Sequence, residues 1–424
     1  MKRALTIVTL TLVAMLGIIP SGAAQEPITL TFAVQSLGDV HGDLEVALAE
    51  EYMKLHPHIK IEAVRGQNVD VQMAGGLIPD LIGTQTGTPS YLSMAVNGVF
   101  DDIYALQERY GNIPNFSLAE LHPAFIEMHR LNGEVHLIPY RPFIYGMYTN
   151  LDLFARGGVA PPSDEWTWDD YADVMEKLSR DTSGDGMNDV WGGGTDPIWS
   201  RMSSWIWQNG TDWFTEDLSR TLIDTPAVYE AVDWLAGFRQ DGGHPPYQIS
   251  NTLGKTANLF IDGRLGVYGP IGNLYVGDLR DAEVPFAWDV VALPQNVAKA
   301  TYAGTRGYVI PKEARHHKEG WEFAQYLAGW EAQVYRFEQL GMIGTHLRLA
   351  TLPEIQRPDL PPANIRMFFD AMAYAKPAQN DPAAREALAQ LQRAYQAVWL
   401  GERDAKSVGE ELAPSINATL REGR

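Results

Sequence analysis

The sequence predicts an α/β fold on a mainly parallel sheet covered by helices. Three observations carry this: a β-α-β opening, a short apolar strand that enters a Gly/Thr loop, and strongly amphipathic helices further on. In "ITLTFAV" the residues Ile28, Leu30, Phe32 and Val34 recur with a period of two, the mark of a strand with one packed face. "DLEVALAEEYMKLHP" then sets Leu44, Ala47, Leu48, Tyr52 and Leu55 on one helical stripe, which Pro57 ends. "HIKIEAV" resumes the period of two at Ile59 and Ile61.

Next, "GGLIPDLIGTQTG" reads as a short buried strand at Leu81 and Ile82 that enters a polar loop from Gly83 to Thr88. Strand ends are where open parallel sheets meet ligands, so this loop is a site candidate. In "PPSDEWTWDDYADVMEKLSRD", Thr167 fits an N-cap and Asp170 its capping-box partner, ahead of a stripe of Tyr171, Val174, Met175 and Leu178. "WEFAQYLAGWEAQVYRF" has Phe323, Tyr326, Leu327, Trp330, Val334 and Phe337 at helical spacing, read as core. Ala384, Leu388, Leu391, Tyr395 and Val398 mark a last helix, closed by Gly401.

The chain has 424 residues, 45% of them hydrophobic, with 12 Trp, 18 Tyr and 14 Phe, enough for two or three packed domains. A formal charge of −20 disfavours nucleic acid and anionic lipid as partners. Residues 1–24 have the order of a secretory leader: Lys2 and Arg3, an apolar run from Ala4 to Ile19, then Gly22, Ala23 and Ala24 before the cut. A membrane anchor can start the same way, but Thr6, Thr9, Thr11 and Gly17 interrupt the run, short of the ~20 apolar residues of a span. With no cysteine there is no lipid attachment site and no disulfide, which leaves core burial to stabilise an exported protein.

Motifs with chemistry are few. "DTSGDGMNDVWG", residues 181–192, follows a calcium loop in placing Asp181, Ser183, Asp185, the Met187 carbonyl and Asp189 at alternate positions, but Gly192 stands where the bidentate Glu belongs. Calcium then requires a carboxylate from elsewhere, and a tight Asp/Gly turn is the other reading. "LGKT" at Leu253–Thr256 lacks the first glycine of a phosphate loop, and no His-Glu-x-x-His or Gly-x-Ser-x-Gly pattern occurs. Acidic pairs for glycoside hydrolysis have no specificity among 53 acidic residues. More telling are Trp191, Trp199, Trp205, Trp207 and Trp213, interleaved with Arg201, Gln208, Asn209 and Asp212. Indole faces suit the CH faces of a sugar, and planar polar groups suit its hydroxyls.

Residues 133–192, "GEVHLIPYRPFIYGMYTNLDLFARGGVAPPSDEWTWDDYADVMEKLSRDTSGDGMNDVWG", resemble the central signature of the family 1 extracellular solute-binding proteins, the maltose-binding-protein-like sugar receptors of ABC importers. "EEYMKLHPHIKIE", "IPDLIG", "NGVFDDI", "LFIDGRLGVYG" and "VVALPQNVAKATYAGTRGYVIPKEARHHKEGWEFAQYL" resemble its other landmarks, in order. The chain departs from the pattern at "GPIGN", residues 269–273, and at "GMIGTHLRL".

The resemblance implies a two-lobed periplasmic-binding-protein-like fold (type II), with hinge-linked lobes and a ligand cleft between them. Lobe 1 is expected over 25–138 plus 290–340 and lobe 2 over 139–289 plus 341–424. Crossings are expected near Pro139–Arg141, Ala287–Leu293 and Gly341–Gly344. It also implies no catalysis and no required cofactor, a carbohydrate ligand (mono- or oligosaccharide or polyol), a membrane permease partner, a monomer, and a periplasmic or secreted location. By position in the pattern, Gln35, Ser36, Asp39, His41, Gln85 and Thr86 are the polar contacts of lobe 1. Tyr145 with Trp199, Trp205 or Trp207 provides stacking from lobe 2, and Arg306 donates to hydroxyls. Two other readings stand beside this one. One is a secreted carbohydrate-active enzyme. The other keeps the fold for a glycerophosphodiester, polyamine or metal chelate, where an anionic ligand would want Arg141, Arg201 and Arg306 to converge and a polyamine Asp39 and Asp43.

Overall fold

A computed structural model describes residues 26–34, 40–65, 69–250, 255–352, 360–377 and 380–423. The expected leader 1–24, the site candidates Gln35, Ser36 and Asp39, and Leu253–Gly254 lie outside the described residues. The strands are β1 Ile28–Val34, β2 Ile59–Arg65, β3 Leu81–Gln85, a small hairpin of β4 Arg130–Leu131 and β5 Glu134–Val135, β6 Ile138–Asn150, β7 Trp191–Gly194, β8 Leu265–Gly272, β9 Trp288–Val291, β10 Thr301–Val309 and β11 Ala375–Pro377.

The opening is a β-α-β unit. β1 and β2 pair in parallel from Ile28↔Ile59 to Val34↔Arg65, joined by the helix Val40–Leu55. Leu44, Leu48 and Tyr52 of that helix are buried, whereas Leu55 is exposed just ahead of the helix-ending Pro57. In β1, Ala33 is buried along with Phe32 and Val34, because helices cover both faces of a parallel sheet and its inner strands lose the simple alternation. The strand β3 runs through Gln85, so Gly83 to Gln85 are ladder residues where a loop was expected; antiparallel pairing with Ile82–Gln85 by β10 extends the strand.

The sheet order is β2-β1-β3-β10-β6-β8-β7, with β11 beside β10 and β9 beside β6. Its two halves share two strands. The first half of β6 pairs with β10, and Tyr145 to Asn150 pair with β8 and β9. Along its length β10 faces β11 near Thr301–Ala303 and β3 from Arg306 onward. The segment expected as the second crossing, 287–293, instead holds β9, whose hydrogen bonds go to Met147–Asn150. It therefore lies wholly beside the far half of β6, and the chain returns along β10. The segment after Gly341 runs beside the start of β6, where Thr345 donates through its N–H to the Tyr140 carbonyl at 3.3 Å and through its hydroxyl to that of Pro139 at 2.9 Å.

Two main cores follow from this arrangement. On one side Leu30, Phe32, Leu48, Tyr52, Trp321 and Phe323 pack together. On the other, Trp168, Tyr171, Trp205, Leu235, Leu388 and Val408 form a larger cluster, continued by Tyr148, Trp191, Phe260 and Tyr268. The helix Trp168–Leu178 has the expected capping box, with Thr167 and Asp170 bonding reciprocally and all of Tyr171, Val174, Met175 and Leu178 buried. The stretch from His317 to Leu340 is two helices, His317–Ala328 and Trp330–Leu340, because Gly329 adopts an extended ψ of 173° between them. Phe323 and Leu327 are core; Trp330 and Phe337 are partly buried. The last expected helix spans Pro382–Ala394 and stops in a short turn before Gly401, which has a φ of 73°. A further helix, Ala405–Glu422, packs on it and was not read from the sequence.

Candidate functional site

The two shared strands set the site. Across them Gly304 faces Phe143 and Arg306 faces Arg141, and since strand side chains alternate, Tyr302, Gly304 and Arg306 share one face with Tyr145, Phe143 and Arg141. One end of this face is aromatic and the other is cationic.

At the aromatic end Tyr302 is central. Its ring lies 4.9 Å from Tyr145, 5.8 Å from Trp199, 6.2 Å from Phe143 and 6.2 Å from Trp207, the last stacked and nearly parallel at 5°. Gly304 makes room for Phe143, because a Cβ there would fall 2.2 Å from the ring. The helix Trp199–Gln208 places Trp199, Ser203 and Trp207 four residues apart on one stripe. That stripe lines a cavity of about 180 Å³ with Asp212, Trp213, Lys376 and Leu388 among its other walls. Trp205, two positions off the stripe, was expected to contact ligand. It points instead into the core, fully buried against Trp168, Tyr171 and Trp234. The Tyr145 hydroxyl donates to Ser200 Oγ at 3.2 Å.

Cations frame this end. The Arg385 guanidinium lies 4.0 Å over the Trp199 ring and donates to the Gly87 carbonyl at 2.5 Å, linking the Pro382–Ala394 helix to the loop after β3. The Lys376 ammonium lies 5.5 Å from the Trp207 ring centre. Burial pushes the Asp212 carboxyl up from its ordinary value, which the Trp213 N–H it accepts partly offsets.

At the cationic end Arg306 Nε donates to Gln85 Oε1 at 3.1 Å, so two of the expected residues meet. Thr86 is buried and its hydroxyl is committed: it donates to the Thr305 carbonyl at 3.0 Å and accepts the Thr305 N–H at 2.8 Å, clamping β3 to β10. His129 Nε2 contacts Thr305 Oγ at 2.6 Å and its Nδ1 the Tyr91 hydroxyl at 3.2 Å. His41 Nδ1 lies 3.1 Å from Arg141 Nη1, and Arg141 is only 1% exposed. Burial lowers the Arg141 guanidinium to about 10, and the nearby Arg306 charge acts in the same sense. Glu45 binds Arg336 through both oxygens at 3.0 Å and also accepts from the Tyr308 hydroxyl.

The other singled-out residues fall elsewhere. Arg201 is buried against Asp196 and the Tyr268 hydroxyl, away from Arg141 and Arg306. Residues 181–189 form a mostly exposed turn between the bridged Arg180 and Val190, and Trp191 and Gly192 open the buried strand β7. Asp181 accepts the N–H groups of Gly184 and Gly186 at 2.6 and 2.7 Å and Asp185 that of Met187 at 2.9 Å; Asp189 accepts from Thr182. Ser183 donates to Asp181 at 3.1 Å. These contacts turn the carboxylates onto loop donors, and among the described residues no group of three or more acidic or imidazole side chains could hold a metal ion.

The structure brings the expected Tyr145, Trp199 and Trp207 together at one end and Gln85 with Arg306 at the other, and it adds Tyr302, Phe143, Lys376 and Arg385, which sequence reasoning did not single out. Period-two stepping along "RPFIYG" from Tyr145 and along "TYAGTR" from Arg306 points to Phe143 and Tyr302. No local pattern marks Lys376 or Arg385, which arrive from late in the chain.

Paired α/β halves joined by two shared strands, with an aromatic and polar face along those strands, define a two-lobed binding protein. The chain belongs to the bacterial extracellular solute-binding protein family, which matches residues 39–334. A binding protein of Brucella abortus (strain 2308) is 22% identical over 306 residues, 70% of this chain and 71% of that protein. Among solved structures, the ABC substrate-binding protein Lmo0181 of Listeria monocytogenes, in complex with cycloalternan, superposes with a TM-score of 0.81 at 22% identity, covering 93% of this chain and all of that one. A solute-binding protein of Thermotoga lettingae bound with α-D-tagatose gives 0.77 at 17% identity, with coverages of 93% and 100%. Maltose-bound MalE3 of T. maritima gives 0.75 at 16%, with coverages of 92% and 99%. At these identities the likeness carries the two-lobed fold.

Proposed function

We propose that this protein is an extracytoplasmic receptor that captures a carbohydrate between its lobes and presents it to an ABC importer permease, without catalysis. The observation that carries this reading is the Tyr302-centred aromatic platform on the shared strands, with Trp199, Trp207 and Asp212 beside it and Arg306, paired with Gln85, at the other end of the same face. Flat apolar rings with a few planar polar groups match a sugar's CH faces and hydroxyls. The ligands bound in similar structures, cycloalternan, α-D-tagatose and maltose, support the same class.

In this reading β6 and β10 are the hinge, the lobes close over ligand bound to both, and the closed form is the one the permease meets. The mature chain starts at Gln25, after a cleaved leader, and works as a monomer in the periplasm or outside the cell. Among the described residues no helix is long and apolar enough to cross a membrane. A thermal-shift panel of the mature chain against monosaccharides, oligosaccharides and polyols tests the reading. A ligand that binds only the folded state adds about 2.7 kcal/mol at a hundred times its dissociation constant. A shift with a saccharide that is recovered intact supports the receptor; a saccharide converted to product, or silence across the panel, rejects it.

A further inference from the structure

We propose that the cationic end of the cleft face holds an anionic group on the ligand, the carboxylate of a sugar acid or a phosphate ester, through Arg141 and Arg306. The inference rests on the receptor reading and narrows its ligand class.

Arg141 and Arg306 are directly opposed across antiparallel strands, a position where like charges oppose folding. Arg141 is the more telling of the two. Its Nη1 contacts His41 Nδ1 and the Met342 sulfur, each at 3.1 Å, while its Nε and Nη2 are buried with no hydrogen-bond partner among the described residues. A buried guanidinium with unpaired donors is expensive unless a partner arrives. The carboxylate whose charge reaches it is that of Glu45, and both Glu45 oxygens are already taken by Arg336 and Tyr308. The structure thus holds donors in a forked geometry, suited to two oxygens of one carboxylate or phosphate.

Placement fits a sugar derivative. Phe143 and Tyr145 stand two and four residues from Arg141 on the same face, about 7 and 13 Å along the strand. A ring stacked on the platform therefore carries its charged substituent to Arg141 within one or two sugar units. His41 and Arg306, with Tyr140 and Thr84, line a small recess next to Arg141, which is not itself one of its walls. Parting of the lobes uncovers Arg141, and closure buries the anion against it.

The test is titration calorimetry on the mature chain with D-galacturonate and its dimer, each beside D-galactose and its neutral dimer, and with glucose 6-phosphate beside glucose. The expected result is binding at least tenfold tighter for a charged member than for its neutral counterpart, weakened by added sodium chloride. Preference for uronates alone assigns a sugar acid, and for the phosphate alone an ester. Arg141→Met abolishes the preference, and without ligand it melts no lower than the parent, since it removes unpaired buried donors. A purely structural Arg141 would lower the melting temperature. Neutral saccharides that bind as tightly as charged ones overturn the inference and leave the receptor standing. A protein silent to both classes overturns both.

Discussion

Gly304 offers the sharpest test of how the site is built. A Cβ at this position would stand 2.2 Å from Phe143 Cζ and 2.4 Å from Cε2. Carbon atoms settle at about 3.5–4.0 Å, so Gly304→Ala must drive the ring aside by more than about 1 Å. The ring is stacked on Tyr302 at 25°, and displacing it forfeits that contact as well as straining the strand pair. Overpacking of this kind costs about 1–3 kcal/mol, or roughly 1–4 °C in melting temperature for a chain of this size. Phe143→Ala vacates the same volume, so the added methyl costs little in that background. Denaturant unfolding of the parent, both single variants and the double variant yields the coupling, expected at about 1–2 kcal/mol in favour of the double. Additivity within about 0.5 kcal/mol would refute the reasoning, because it would mean that ring and methyl never compete. Saccharide affinity should fall with Gly304→Ala for the same reason.

Three further outcomes follow from the same geometry. Burial holds the His129 imidazole neutral, with its pKa lowered to about 3. The unfolded chain takes up a proton below about pH 6.5 that the fold refuses, so this part of stability is intact above that pH and falls by about 1.4 kcal/mol per unit toward pH 3; His129→Gln should flatten the loss between pH 6.5 and 5 in calorimetric melts, and equal slopes would count against it. Arg385→Ala removes a charged hydrogen bond and a ring contact that link the C-terminal helices to the loop after β3, together about 1–3 kcal/mol. The ligand-free protein should then show a larger radius of gyration by X-ray scattering, and an unchanged profile would deny Arg385 this role. Finally, Trp205→Ala should cost about 3–5 kcal/mol as a core truncation, whereas half-buried Trp199→Ala should retain the fold and lose at least tenfold in saccharide affinity. Melting curves with calorimetric titration separate the two, and the reverse pattern would invert the assignment of the helix faces.

Much of the fold was legible because its signals are local. The alternation of β1 and β2, the Thr167/Asp170 box and the stripe of the Trp168–Leu178 helix each lie within a few residues. The break at Gly329 was not, since the apolar spacing continues through it while the backbone does not. Residues 287–293 read as a crossing because they follow the second lobe in order, but only ladder pairing shows β9 to belong beside Met147–Asn150. The site divides in the same way. Trp199, Trp205 and Trp207 look alike in sequence, and helix phase sends the middle one into the core. Thr86 looked like a ligand contact, yet its hydroxyl is spent on Thr305 across a separation of 219 residues. Arg385 and Lys376 reach Trp199 and Trp207 only through the folded chain.

The sharing of β6 and β10 also constrains how the polypeptide is assembled in time. In the ladder, β3 is joined to β6 only through β10, which is complete at Val309. A nascent chain that has emitted β1 through β6 therefore carries two open strand edges, at β3 and at β6, until about three-quarters of its length has been made. Contacts of such long sequence separation close slowly, and unpaired edges invite pairing with other chains. The first lobe is the first to be started, yet its sheet stays open until most of the second lobe has been made.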